Sequence, residues 1–434
     1  MKKKLLLLIL ILCIALCGVG YAYYVKRENK SNKDLFMYYI TKSEESSEYL
    51  DILEKYNKIK EETAYKTKGK VDLKLSGLEN DESIQMLNDS KITFEGKVNP
   101  VEKMAEQEIT AVLGMGINVP LNYKQDGDVY ALQTNLLTRK YIAIKNENLK
   151  ELAEKFDIDT EEIPDKINLE KKDFDSAKMK ELVEKYKTLI YENLPDEKAF
   201  SKKNDGNQKI LSVNMTNEEI SILFKSILDE LKNEELIINY AKNSNIDLNE
   251  YYDSIDNLME DLDDLEEKNG KAEIKLYIEN KKAVGLDILI YEENEVVSKI
   301  IAKMKDENLN FKIDLKDEVS IEMNYGIIYN ETDLSMNIDM KMSVDNDKKY
   351  DLKGKMEYKN IFTLDNVEEN YSFDLTGEMD TISEVEINYS NLVTFDNNVK
   401  IEKISEENSY IINDMTDEEL QNFIMAIYEK ISEM

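Results

Sequence analysis

Ninety Asp and Glu side chains and not one histidine set the limits of the chemistry open to this chain. A Ser-His-Asp or Cys-His site needs imidazole as its base, and a His-based zinc site needs it as a ligand. Both cysteines, Cys13 and Cys17, fall inside one apolar stretch, so the rest of the chain has neither a thiol nucleophile nor a cysteine redox motif. No G-x-G-x-x-G or P-loop pattern occurs. Gly114-Met115-Gly116 lies between strand-like segments and lacks the rest of either motif. Residue type leaves carboxylate pairs of the glycosidase kind and a serine–lysine hydrolase. Nearness of two acids means little among 90, and the absence of Trp removes the usual aromatic platform of sugar-cleaving sites. The densest acid run is Asp253, Asp256, Glu260, Asp261, Asp263, Asp264, Glu266 and Glu267. Calcium needs several oxygens converging from a loop. These acids instead follow a helical pattern around an apolar stripe of Ile255, Leu258, Leu262 and Leu265, so a solvated helix face is expected. No catalytic, cofactor-binding or metal-ligating residue is assigned, and no cofactor is expected.

Charge narrows the partners. The net charge is −33 over 434 residues, and the first 30 residues hold six Lys/Arg against one acid, so the remainder is more acidic still. Such a body repels phosphate backbones and anionic lipid, which argues against nucleic acid. The 26 Tyr and 11 Phe within 42% hydrophobic content supply a core, so this is not an acidic disordered tail.

Residues 5–25 are uncharged, preceded by three lysines and followed by Lys26 and Arg27. Twenty-one helical residues span about 31 Å, the thickness of a bilayer core. The expectation is an anchor through residues 5–25, a cytoplasmic tail at 1–4 and a large extracytoplasmic body in a single-pass cell-membrane protein. A cleaved signal peptide, with small residues Gly20 and Ala22 near its end, is an alternative. A lipoprotein signal is another, although Leu12 and Leu16 precede the cysteines where a small residue belongs.

Residues 26–62 read as a helical stalk, with Leu35, Phe36, Tyr39 and Ile40 and then Tyr49, Ile52, Leu53, Tyr56 and Ile59 at helical spacing. From Lys68 the period becomes two: Val71/Leu73/Leu75, then Ile92/Phe94/Val98, read as half-buried strands. Asp126-Gly127 signals a hairpin turn. Helices are expected near 147–156 and 176–194, and Thr216-x-x-Glu219 is a capping box for another. An acidic helical connector fills 233–269. Residues 270–434 return to alternation, among them Tyr371/Phe373/Leu375, Val385/Ile387/Tyr389 and a Met-rich strand at 334–342 that is either ordinary core or the wall of a greasy pocket.

Two pairs of segments match at nearly equal offsets: Gly69–Leu75 with Gly270–Leu276, and Met215–Ile220 with Met415–Leu420. The expected fold is therefore α+β: one N-terminal transmembrane helix, then two related antiparallel-sheet modules at 63–232 and 270–434, each ending in a strand and a capped helix. Residues 120–123, 126–130 and 139–150 are similar to a family of N-terminally anchored proteins of low-GC Gram-positive anaerobes; that family brings no catalytic residues to transfer. The architecture resembles the lipoprotein-carrier class of half-barrel folds, which would imply a lipid-like ligand between sheet and helices. The sequence thus supports a binding or scaffolding protein without catalysis and with an unidentified protein partner; the alternative is a carrier or sensor of a hydrophobic ligand.

Overall fold

A computed structural model describes residues 31–41, 48–77, 87–156, 163, 165–167, 176–243, 248–266, 270–305, 308–316, 319–344, 348–379 and 382–432. Residues 1–30, with the expected tail at 1–4 and anchor at 5–25, lie outside these. The described chain contains helices α1 (Asn32–Thr41), α2 (Glu48–Glu62), α3 (Leu149–Lys155), α4 (Ser176–Asn193), α5 (Asn217–Asn233), α6 (Glu235–Asn243), α7 (Leu248–Glu266) and α8 (Asp417–Ser432). Its strands are β1 (Tyr65–Ser76), β2 (Ser90–Asn99), β3 (Met104–Val112), β4 (Asn118–Asp126), β5 (Val129–Gln133), β6 (Tyr141–Lys145), β7 (Phe200–Asp205), β8 (Gln208–Thr216) and β9 (Gly270–Glu279), followed by β10 (Lys282–Glu292), β11 (Glu295–Lys305), β12 (Asn308–Leu315), β13 (Val319–Tyr329), β14 (Leu334–Val344), β15 (Lys348–Lys359), β16 (Val367–Met379), β17 (Ile382–Phe395) and β18 (Ser409–Ile411).

Two compact units interleave along the chain. The first draws its described residues from Met1–Ser47, Asp173–Tyr325 and Met340–Lys349, the second from Glu48–Lys172, Gly326–Asp339 and Tyr350–Met434. In the first, β7 to β12 pair in sequence order, each antiparallel to the next. The two-residue turns Asn280-Lys281 and Glu293-Asn294 have positive φ throughout, the backbone that matches strand twist in tight hairpins. One sheet face buries Val213, Ile274, Leu276, Ile288, Ile300 and Ile313. Onto it pack Leu223, Phe224 and Leu228 of α5, with Leu262 of α7 and Phe36 of α1 in the same core. Each such side chain contributes about 1.5–3 kcal/mol of burial.

In the second unit, β1 lies between β2 and β17. On one side β2 to β6 follow in order, and β18 adds parallel to β6. On the other side β17 pairs with β16, and β16 with β15.

Two expectations are corrected. The fold is not a transmembrane helix followed by two consecutive α+β modules: the 18 described strands belong to one hydrogen-bonded sheet. The β8–β9 pairing links the end of the expected first module to the start of the second, and β1 finds β17 more than 300 residues away. Alternation identifies a strand and its faces but not its partner, which register and turn geometry decide. The repeat is local for the same reason. Both capping boxes form, Thr216 with Glu219 and Thr416 with Glu419. Yet β8 before α5 is antiparallel to β9, whereas β18 before α8 is parallel to β6.

The single-pass localisation with an extracytoplasmic body, and the membrane-helix character tied to it, is the second correction. Among the described residues no helix is long and apolar enough to cross a membrane. Within 26–62, α1 sinks Phe36 and Tyr39 into the core of the first unit, and α2 buries Ile52 and Tyr56 in the second. Their apolar spacing serves docking onto the body.

Candidate functional site: a two-fold groove on the sheet

The strands β15, β16, β17 and β1 lie side by side, and their register sets a grid of polar side chains on one face. One rank runs Glu357, Asn370, Ser390, Lys70; the next runs Lys355, Ser372, Asn388, Asp72. These eight, with Tyr371 and Tyr389, line a cavity of about 430 Å³. The volume lies in the usual range of small-molecule sites, about 300–1,000 Å³.

Side-chain length shapes the cavity. The two central strands present only short Asn and Ser and form a floor. The flanking strands present long charged residues and form walls. Each wall pairs a cation with an anion along its own strand: Lys70 with Asp72 at 2.9 Å, and Lys355 with Glu357 at 3.2 Å. Lys91 adds a second cation 3.6 Å from Asp72. The hydrogen bond and charge of Lys70, helped by Lys91, hold the Asp72 carboxyl below the usual carboxylate range. On the floor, Asn388 donates to Glu386 at 2.7 Å. Among the described residues, Asn370, Ser372 and Ser390 find no side-chain hydrogen-bond or ion-pair partner.

The floor has a local two-fold axis. Glu368-Glu369-Asn370-Tyr371-Ser372 and Glu386-Ile387-Asn388-Tyr389-Ser390 repeat a Glu-x-Asn-Tyr-Ser motif. Antiparallel register sets Tyr371 opposite Tyr389, so each Asn faces the other motif's Ser. Rotation about this axis exchanges Asn370 with Asn388, Ser372 with Ser390, Lys355 with Lys70, and Glu357 with Asp72.

The opposite face of the same strands holds the floor in place. Tyr371 and Tyr389 stack at 5.0 Å with 8° between ring planes. Phe94 extends the stack beyond Tyr389 at 6.2 Å, and the Tyr371 hydroxyl donates to that of Tyr358 at 3.2 Å. One step along, Glu369 is only 3% exposed. It accepts from Tyr56 at 2.8 Å and Lys60 at 2.7 Å, both on α2, and from Asn391 at 2.9 Å. Burial pushes the Glu369 carboxyl up, but the hydrogen bonds from Lys60, Asn391 and Tyr56 with the Lys60 charge outweigh it, and the net shift is downward. Burial, then the Glu369 charge and hydrogen bond, push the Tyr56 hydroxyl far above its ordinary value; burial and the bond to Tyr358 do the same for Tyr371. These phenols stay neutral donors, and the carboxylate stays charged and satisfied. A buried, fully bonded network of this kind fixes strand position, as a supporting layer must.

Other places considered from sequence hold less. Most of the acid run on α7 faces outward above its buried stripe Ile255, Leu258, Leu262 and Leu265, with Lys225 bonded to Asp263 and Glu266 and with Asp261 half-buried; Glu267 lies outside the described residues. No group of three or more His, Cys, Asp or Glu among the described residues is placed to hold a metal ion. The Met-rich strand β14 is half-buried along Met336, Met340 and Met342, and neither described cavity includes it. Between sheet and helices of the first unit, a second cavity beside Phe224, Ile274 and Ile288 holds about 30 Å³, the room of a single water. The groove residues were missed because a polar residue at every second strand position is the ordinary mark of a solvated face. The available signal was the twice-written Asn-Tyr-Ser, whose polar members are short where neighbouring strands carry Lys and Glu.

No family model matches the chain, and no curated protein matches it. Solved structures that it resembles include a bacterial polysaccharide outer membrane secretin, at 5% identity and TM-score 0.16 over 77% of this chain and 99% of that one. Another is Wzi, an outer-membrane protein involved in group 1 capsule assembly in Escherichia coli and a carbohydrate-binding β-barrel, at 6% identity and TM-score 0.17 over 89% of this chain and 97% of that one. A third is OccK5 (OpdH) of Pseudomonas aeruginosa, at 4% identity and TM-score 0.13 over 76% of this chain and 96% of that one. Likeness at this level assigns this chain neither a family nor an activity.

Proposed function

We propose that this chain is a non-catalytic binding protein that holds a small polar ligand in the groove between the walls of β1 and β15. The observation that carries the reading is the floor: Asn370, Ser372 and Ser390 open into a cavity of about 430 Å³ with no partner for their side chains among the described residues. Polar groups that the protein leaves unmatched in a concavity are matched by what enters it. Lys70 and Lys355 in the walls are each tied to a wall carboxylate.

Carriage of a lipid-like ligand is the second reading. The half-exposed apolar face of the second unit, with Ile92, Met356 and Ile387 among its exposed members, favours it. The filled space between sheet and helices of the first unit weighs against it. Thermal-shift screening separates the two. Polar, anionic, cationic and apolar compounds are tested against the full chain and against Ser390→Trp and Ser372→Trp, each of which fills the floor. Hits among polar compounds that vanish in both variants are expected. Hits confined to apolar compounds, or unchanged by both variants, contradict the groove reading.

A further inference from the structure

The groove's hydrogen-bonding inventory points to the class of its occupant, an inference that rests on reading the groove as the binding site. Charge comes first. The lining residues set two cations against two anions, each paired within its own wall, with Lys91 as a further cation beside Asp72, so the lining itself carries no net charge in a chain of net charge −33. An anion meets the repulsion of the whole body on approach. A cation finds both wall carboxylates already bonded to lysines. An apolar occupant would strip water from Asn370, Ser372 and Ser390 and give nothing back.

The floor itself is the second consideration. An amide side chain offers two donors and an acceptor, and a hydroxyl offers a donor and two lone pairs. A surface that donates and accepts at every corner is complemented by one that does the same, and neutral vicinal hydroxyls do so without charge. Strand spacing and strand rise place the four floor residues on a rectangle of about 5 by 7 Å. That is the scale over which a sugar ring spreads its hydroxyls. The two-fold axis adds a constraint: the same residue types are met from either end, with one Asn388 donor already given to Glu386.

We infer that the groove binds a neutral polyhydroxylated compound, a small saccharide or polyol. It lies across the Tyr371–Tyr389 axis, and a ligand with its own two-fold symmetry fits both halves at once. Asn370 and Asn388 contact it from opposite ends. Wall pairs Lys70–Asp72 and Lys355–Glu357 reach its outer hydroxyls.

Calorimetric titration of the full chain tests this with trehalose (neutral and two-fold), maltose (neutral, not two-fold), glucose 6-phosphate (anionic) and glycine betaine (zwitterionic). The expected result is binding of both neutral disaccharides, trehalose at least as well as maltose, and glucose 6-phosphate at least about tenfold more weakly. Asn370→Ala and Asn388→Ala each weaken disaccharide binding about tenfold, the loss of one ligand hydrogen-bond set. No heat from either disaccharide in the millimolar range overturns the inference. Preferred binding of glucose 6-phosphate or betaine that Asn370→Ala abolishes also overturns it, while leaving the groove as a binding site. Disaccharide heats that persist in Ser390→Trp overturn both the inference and the groove reading.

Discussion

Tyr371 and Tyr389 lie face to face, 5.0 Å apart and 8° from parallel, on the side of the sheet opposite the groove floor. They are also each other's direct partners across β16 and β17. The stack therefore pins the register that brings Asn370 opposite Ser390 and Ser372 opposite Asn388. A slip of either strand by one residue would send its two floor residues to the other face.

Breaking the stack should loosen that register. Tyr371→Leu keeps apolar bulk but loses the stack and the bond to Tyr358. It should cost about 1–2 kcal/mol by urea unfolding. In a double-mutant cycle with Tyr389→Leu, a coupling of about 1 kcal/mol is expected. Additive losses would mean that the rings do not act as a pair.

The Glu369 network sets an acid limit. Its carboxyl is held below the ordinary value of 4.5. In the window between the two values the unfolded chain binds more protons, so stability rises with pH there. The contribution is complete above the ordinary value and is lost as pH falls through the lowered one. Glu369→Gln should cost about 2 kcal/mol at neutral pH and flatten the acid limb of Tm against pH. An unchanged acid limb would show that Glu369 does not set it.

Lys124 poses a separate test. It is 1% exposed, and its ammonium donates at 3.1 Å to Glu402, whose side chain is 73% exposed. Removing a carboxylate that exposed is usually nearly silent. Here it would strand a buried charge, so Glu402→Ala should lower Tm clearly more than Glu368→Ala, which breaks the solvent-exposed pair with Lys359. Lys124→Met, which removes the charge and keeps the bulk, should be tolerated in the Glu402→Ala background. Equal Tm losses for the two glutamate variants would contradict this.

The twin capping boxes should behave differently despite matching sequences. Each Thr→Ala removes a cap worth about 1 kcal/mol. The α5 helix is sealed by buried Leu223, Phe224 and Leu228, whereas on α8 only Leu420 is buried while Met425 and Tyr428 are 57% and 70% exposed. Thr216→Ala should therefore lower the global unfolding free energy, and Thr416→Ala should mainly speed hydrogen exchange in α8. A global loss of equal size from both would contradict the difference in packing.

How far the sequence reaches is visible in particular residues. Val71, Leu73 and Leu75 mark β1 by alternation alone, and both capping boxes are readable because each is closed within four residues. The partner of β1 is not readable, since Val71 meets Tyr389 across 318 positions and period two says nothing about which strand lies alongside. Nor is the groove, because Asn370 and Ser372 read as solvent-facing polar positions until β17 brings Asn388 and Ser390 beside them. The apolar spacing of residues 35–59 is readable as helix, but not the surface each helix packs on: Tyr56 is 1% exposed against Glu369.

The central claim, that the two-fold groove is the binding site, is tested most directly by diffraction from crystals of the full chain soaked in trehalose. The account predicts density across the Tyr371–Tyr389 axis with ligand oxygens within hydrogen-bonding distance of Asn370 and Asn388. Density bound at another surface, with the Asn-Ser floor holding only water, would contradict it.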